Sequence, residues 1–298
     1  MFNSFAQSVY FAPRGKGRIM HLGNDLAQAY LSPDDQLVGL VGDAGAGKSL
    51  LIRGMFPGVT LTNDDNGINI RPLPVLEDAE HNEFNTHTYH VDARFETAFT
   101  QPWRLAEAIE EALVHGRRVV IEHFDLLADH LEIDADLLVG IGEEVLITRP
   151  GVFGPSPQEV ADIVFKSIRY RRMAHTAEDL ITKILWEEGL EKPTYHSDVK
   201  SGFVLQFEDK PGFDFSELEA KVKDIIAQDI RINFHDDKHI RVGENIYSCQ
   251  GPRIHVKRTG DIENFKLVKD LKYDPNTNRY LLAGLVGTER SQFELSHN

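Results

Sequence analysis

Apolar residues in the first half of the chain fall in short unbroken runs. Residues 36–41 (QLVGLV), 118–121 (RVVI), 137–141 (LLVGI) and 145–148 (VLIT) have this form, which marks strands buried on both faces. Residues 88–91 and 58–62 read as two further strands. Leu105, Ile109, Ala112 and Leu113 share one face of a helix that Pro102 opens and Gly116 closes. Another helix runs on through residues 50–55, and residues 8–22 read as a hairpin around Arg14-Gly15-Lys16-Gly17. Strands alternating with helices predict a three-layer α/β domain with a mostly parallel sheet.

The rhythm changes after residues 151–157 (GVFGPSP), the richest turn segment in the chain. A helix from about Pro157 to Arg172 leads toward a second from His175 to Glu188. A strand at 202–207, a helix at 215–229 and several short strands between 230 and 286 follow. That is an α+β pattern. The expected domains are residues 1–165 and 166–298, with no internal repeat or low-complexity tract.

Composition agrees with a division. The 298 residues carry a net charge of −15, of which −14 falls in residues 1–165 and −1 in residues 166–298. The acidic half is a poor partner for nucleic acid, whereas the second half has basic clusters at Arg169–Arg172 and Arg253–Arg258 that could touch RNA. With 41% hydrophobic residues a folded core is expected. No apolar run approaches the ~20 residues that span a bilayer, so no membrane association is expected. The N-terminal residues carry no secretory pattern. Cys249 is the single cysteine, which excludes an internal disulfide and points to a reducing cytoplasm.

Residues 42–49, Gly42-Asp43-Ala44-Gly45-Ala46-Gly47-Lys48-Ser49, fit G-x-x-x-x-G-K-[ST] at every fixed position, with an apolar strand before them and a helix continuing through Leu50 after them. This is the pattern of a phosphate-binding P-loop. Small residues let backbone N–H groups approach an anion, and the helix N-terminus adds partial positive charge. Lys48 brings a full charge to the β- and γ-phosphates, and Ser49 a hydroxyl to Mg²⁺. The expected ligand is ATP or GTP with Mg²⁺. A magnesium site also calls for a carboxylate at a strand end. Glu122, closing the 118–121 run, is the first choice, ahead of Asp125 and Asp92. Asp64 and Asp65 stand where small-molecule P-loop kinases, including those resembling uridine kinase, keep the carboxylate that accepts the attacking hydroxyl's proton. An Asp-Asp-Asn-Gly turn is the plainer reading of the same residues.

From about Arg171 to Gly287 the sequence resembles a known family. His175-Thr-Ala-Glu-Asp179-Leu is similar to H-x-x-x-H, and the stretch from Cys249 through His255 to Lys266 is similar to C-G-G-x-H-V…T-G-E-I-x-x-F-K. Both belong to the second additional domain of threonyl- and alanyl-tRNA synthetases, which hydrolyses mischarged aminoacyl-tRNA. The resemblance implies an α+β fold, a Zn²⁺ ligand set of His175, Asp179, Cys249 and His255, and tRNA or an aminoacyl ester as partner. Two departures stand out. The family's second histidine is Asp179, and two extra residues separate Cys249 from His255. The family's Q-x-G-S element is also absent, with Tyr195-His196-Ser197-Asp198 near its place. No synthetase catalytic domain accompanies the module.

Three functions follow as expectations. The nucleotide domain drives or gates a metal-dependent module that handles aminoacyl esters in trans. Alternatively the chain is a nucleoside-type kinase using Asp64 or Asp65 as base. In the third, both sites only bind, and the protein is a nucleotide-sensing regulator.

Overall fold

The computed structural model describes residues 6–62, 72–152 and 154–287. It divides into two compact units, Met1–Tyr10 with Lys16–Lys166, and Phe11–Gly15 with Ser167–Asn298. Asp64 and Asp65 lie outside the described residues.

The first unit contains β1 (Ala6–Phe11), α1 (Lys16–Tyr30), β2 (Leu37–Gly42), α2 (Lys48–Met55) and α3 (Pro74–His81). These are followed by β3 (Thr88–Asp92), α4 (Ala93–Glu96), α5 (Pro102–Val114), β4 (Arg118–Glu122), β5 (Leu137–Ile141) and β6 (Glu144–Thr148). The six strands form one sheet in the order β1-β6-β5-β2-β4-β3. β5, β2, β4 and β3 run parallel, and β6 turns back antiparallel to β5. Every residue of β2 and β5 is buried, as continuous apolar runs in a parallel sheet require. The register sets Leu40 of β2 beside Glu122 of β4, and Glu122 beside Asp92 of β3. Three carboxyl-terminal strand ends therefore meet where the 42–49 segment begins.

Two local expectations are corrected. Residues 8–22 are not a hairpin, because β1 is followed by α1. Gly17 lies within α1, and it is Gly23 of α1 and Gly54 of α2 that serve helix packing. A Cβ on Gly23 would lie 2.4 Å from the Leu51 carbonyl oxygen, and one on Gly54 only 2.1 Å from that of Met20, so α1 and α2 approach closely because both positions lack one. Residues 58–62 form no strand. Thr62 instead gives its backbone N–H to His90 Nδ1 at 3.0 Å and its hydroxyl to the His90 carbonyl at 3.0 Å.

Helix α6 (Pro157–Glu187) is a single helix of 31 residues, and the boundary between the units falls within it. The expected break near Arg172 is absent. No glycine or proline interrupts the stretch, and Met173, Ala174, Ala177, Ile181 and Ile184 continue a buried face. Arg171, part of the basic cluster, is 2% exposed and donates to the Pro13 carbonyl at 2.6 Å.

The second unit continues with β7 (Tyr195–Val199), β8 (Gly202–Phe207), α7 (Phe215–Ala227), β9 (Ile232–Asp236), β10 (His239–Val242) and β11 (Asn245–Ser248), then β12 (Lys266–Leu267), β13 (Lys272–Asp274) and β14 (Arg279–Leu285). One antiparallel sheet has the order β12-β14-β8-β7 with β13 on β14, and β11-β10-β9 form a second. Phe203, Leu205 and Phe207 alternate onto the buried face of β8. Asp214 caps α7 by accepting from the Ser216 and Glu217 N–H groups at 2.7 and 2.9 Å. Among the described residues no helix is long and apolar enough to cross a membrane.

Candidate functional site

In the first unit, residues 42–49 connect β2 to α2 as a tight loop. Gly45 and Gly47 adopt φ of 76° and 103°, the left-handed region that glycine enters at little cost. Gly47 is further constrained, because a Cβ there would meet Ile19 Cδ1 at 2.5 Å. The Ala44 N–H turns onto the Asp43 carboxylate at 2.7 Å, and the Ala46 N–H onto the Asp43 carbonyl at 3.1 Å. Lys48 is 4% exposed, and its Nζ donates to the carbonyls of Gly42 and Asp43, both at 3.1 Å. Burial pulls the Lys48 ammonium below its ordinary range, with Glu122, Asp92, Asp43 and Asp125 opposing the shift. Leu50 follows within the first turn of α2.

Glu122 is the carboxylate that meets this loop. It is 5% exposed, with Oε2 4.0 Å from Lys48 Nζ and Oε1 3.3 Å from His90 Nε2. His90 Nδ1 accepts from the Thr62 N–H, so its proton sits on Nε2 and is donated to Glu122. Burial opposes ionisation of Glu122, but His90, Lys48 and Ser49 together hold its carboxyl below the usual range. Asp92 caps α4 through Oδ1 and Phe95 N–H at 3.2 Å, and burial with Glu122 alongside pushes its carboxyl up. Asp125 has a buried Oδ1 without a hydrogen-bond partner. The support given by His90 was not foreseen in the sequence, and its only signal is a histidine inside an apolar strand.

His123 follows Glu122 with a φ of 56° and is 8% exposed. Burial, reinforced by Lys48, pushes its imidazolium down to about 4. The folded chain therefore binds this proton only near pH 4, while the unfolded chain binds it near 6.5. The unfolded state carries the extra proton in that interval, so this group withdraws stability as pH falls from about 6.5 toward 4. Nuclear magnetic resonance of labelled histidine should show a neutral His123 ring at pH 5.5. Titration near 6.5 would refute that assignment.

In the second unit, four residues converge. His175 and Asp179 are one turn apart on α6, Cys249 follows β11, and His255 lies six residues beyond it. One ligand atom from each lies within 4.8 Å of all the others. Cys249 Sγ is 3.3 Å from His175 Nε2 and 3.2 Å from His255 Nε2, and Asp179 Oδ2 is 3.5 Å from His255 Nε2 and 4.0 Å from His175 Nε2. A tetrahedral zinc shell with bonds of about 2.0–2.3 Å has ligand–ligand edges of roughly 3.3–3.7 Å. Three of these four separations lie within about 0.1 Å of that range, and the His175–Asp179 edge at 4.0 Å is the long one.

The outward ring nitrogens agree with that use. Thr176 Oγ1 gives its own hydrogen to the Arg172 carbonyl at 2.8 Å, so it accepts from His255 Nδ1 at 3.2 Å. His175 Nδ1 faces Glu178 Oε2 at 3.5 Å. Both protons are thereby held on Nδ1, leaving each Nε2 lone pair toward the cluster. Asp179 Oδ2 is buried at the cluster, with His255 Nε2 and the Cys249 thiol as its neighbours. Burial pushes the Cys249 thiol up and the His255 imidazolium well down.

The two-residue insertion makes a turn instead of displacing His255. The Ile254 N–H bonds to the Gly251 carbonyl at 3.0 Å, and the Gly251 N–H points at Cys249 Sγ at 3.2 Å. Position 251 has no room for a side chain, since a Cβ would lie 2.5 Å from the Arg14 carbonyl and 2.9 Å from His175 Nε2. Beside the cluster lies a cavity of about 540 Å³ walled by Thr176, Asp179, Lys183, Trp186, Tyr247 and Ser248. Lys183 Nζ sits 5.1 Å from the centre of the Tyr247 ring, and Trp186 is 58% exposed. In the first unit a cavity of about 690 Å³ borders Thr62, Thr88 and His90.

No protein family model and no curated protein matches this sequence. Among solved structures the chain aligns with acetylornithine aminotransferase from Elizabethkingia anophelis at 12% identity, over 73% of this chain and 66% of that one, with a TM-score of 0.25. It also aligns with ornithine aminotransferase from Toxoplasma gondii in two structures, at 14% and 13% identity, over 72% and 85% of this chain and 63% and 70% of theirs, with TM-scores of 0.21 and 0.22. The chain spans less than two thirds of the first two of these proteins. At such scores the likeness transfers neither a fold nor an activity.

Proposed function

We propose that the chain binds a nucleoside triphosphate with Mg²⁺ through a P-loop in its first unit, and that its second unit holds Zn²⁺ in a site for aminoacyl esters, including those carried by tRNA. The observation that supports the second part most is the meeting of one thiol, two imidazoles and one carboxylate within 4.8 Å. Thiolate and imidazole in a compact four-membered set favour zinc over harder cations, which prefer oxygen. Cys249, His175 and His255 hold the ion from the protein side, and Asp179 closes the shell where the 540 Å³ cavity begins. Zinc so held would supply Lewis-acid polarisation, and an activated water once Asp179 yields its place in the shell to one. Lys183 offers a cation to a phosphate or carboxylate in the cavity, and the exposed face of Trp186 a stacking surface for a base.

The nucleotide part is supported by the two left-handed glycines, by the start of α2 and by Lys48. Lys48 is drawn onto main-chain carbonyls that a polyphosphate would replace as its partner. Ser49 and Glu122 stand together as the magnesium ligands of this reading. The cavity of about 690 Å³ beside His90 favours a second reading, in which a small molecule there accepts a phosphoryl group.

The zinc reading is tested by metal content after purification without chelator, followed by deacylation of Ser-, Ala- and Gly-charged tRNA with and without ATP. About one zinc per chain and enzyme-dependent deacylation are expected. Asp179→Asn should keep most of the zinc, because three ligands remain, yet lose the deacylation. Zinc-free protein with no deacylation would end this reading.

A further inference from the structure

We propose that Arg14 and Glu178 are positioning residues for the metal centre, so that a side chain from the 11–15 segment sets how tightly ligands far along the chain hold a cation. The inference rests on the zinc reading above. Glu178 and Arg14 are each 3% exposed. Arg14 Nε lies 3.0 Å from Glu178 Oε2 and 3.1 Å from Asp198 Oδ1. Its two terminal nitrogens donate to the carbonyls of Gly202 and Ser197, both at 3.1 Å. A planar guanidinium with this many fixed partners is a rigid anchor.

The anchored carboxylate does more than pair with Arg14. Its Oε2 also faces His175 Nδ1 at 3.5 Å, and its Oε1 meets His196 Nδ1 at 2.6 Å. A carboxyl oxygen held by Arg14 and facing Nδ1 favours the proton there and turns the Nε2 lone pair toward Cys249 Sγ, 3.3 Å away. This is the outer-partner arrangement that orients and strengthens a histidine ligand. The main chain of Arg14 acts from another side. Its carbonyl oxygen would lie 2.5 Å from a Cβ on Gly251, so it abuts the turn that carries Cys249 to His255. One residue thus fixes the support of one ligand and borders the loop that carries two others.

The test measures zinc affinity by competition with a chromogenic chelator, in the full chain and in Glu178→Gln, Arg14→Met and Arg14→Lys. Glu188→Gln, which removes an exposed carboxylate paired with Lys221, serves as the control. Glu178→Gln and Arg14→Met should bind zinc ~10- to 100-fold more weakly, the range for loss of an outer-shell partner. Arg14→Lys should fall between them and the parent, and Glu188→Gln should match the parent. Cobalt(II) replacing zinc supplies a readout that a merely structural role would leave unmoved. Its visible bands should shift in Glu178→Gln, because the His175 ring loses the carboxyl oxygen that faces its Nδ1. Folded variants with parental zinc affinity and parental cobalt bands would overturn the inference. If Glu178→Gln does not fold, Arg14→Lys decides by the same two measurements. A parent chain that binds neither metal would overturn the zinc reading itself, a result distinct from unchanged variants of a binding parent.

Discussion

Cys249→Ser should weaken zinc binding by more than ~100-fold, beyond the loss that follows removal of an outer partner. Cys249 is the chain's only thiol and is 6% exposed. It lies within 3.3 Å of both imidazole Nε2 atoms, so it is central to the set. Serine replaces a soft anion with a hard neutral hydroxyl, for which zinc has far less preference. The loss should also appear in the pH profile. Burial keeps the free thiol protonated, so zinc must displace a proton to bind, and parental affinity should rise with pH. The serine variant should show a shallower slope. Chelator competition across pH 6–8 measures both effects, and equal affinity in parent and variant would remove Cys249 from the ligand set.

Lys48→Ala should lower nucleoside-triphosphate affinity by roughly 10- to 150-fold, the equivalent of ~1.5–3 kcal/mol for a hydrogen bond to a charged group. The ammonium is buried at the mouth of the loop, and its two carbonyl partners belong to the loop itself. A polyphosphate exchanges those weak dipoles for full charges. Removing the lysine takes one cation from the buried Glu122, which keeps His90 and Ser49. The nucleotide-free variant should therefore still fold. Calorimetry with ATP and Mg²⁺ measures the affinity, and a variant that binds ATP as the parent does would dispose of the P-loop reading. Acceptor-dependent ADP release across a panel of nucleosides, lost in this variant, would support the phosphoryl-transfer reading.

Residues 42–49 are legible as a tight connection from strand to helix, because small residues follow an unbroken apolar run. The strands at 37–42, 118–122 and 137–141 were legible because burial on both faces leaves unbroken apolar runs. The pair Gly15 and Gly17 misleads near the N-terminus, because a glycine that suggests a turn can also sit inside a helix, as Gly17 does in α1. Residues 58–62 carry the β-branched residues of a strand, yet Thr62 spends its hydrogen bonds on His90. The meeting of His175, Asp179, Cys249 and His255 could be expected only through family likeness, since 74 positions separate His175 from Cys249. Their supports were not visible at all. Nothing near Arg14 in the sequence announces that it lies beside Glu178, and a lone Glu within a helix is ordinary.

The pentapeptide Phe11–Gly15 groups with residues beginning at Ser167, which bears on how the protein can be dissected. A fragment started at the boundary inside α6 would omit the guanidinium that neutralises Glu178 and Asp198. The buried Glu178 would keep its contacts to His175 and His196 but lose the cation it shares with Asp198, which is destabilising. A clean excision of the C-terminal half thus demands that the missing pentapeptide be spliced back through a circularly permuted linkage.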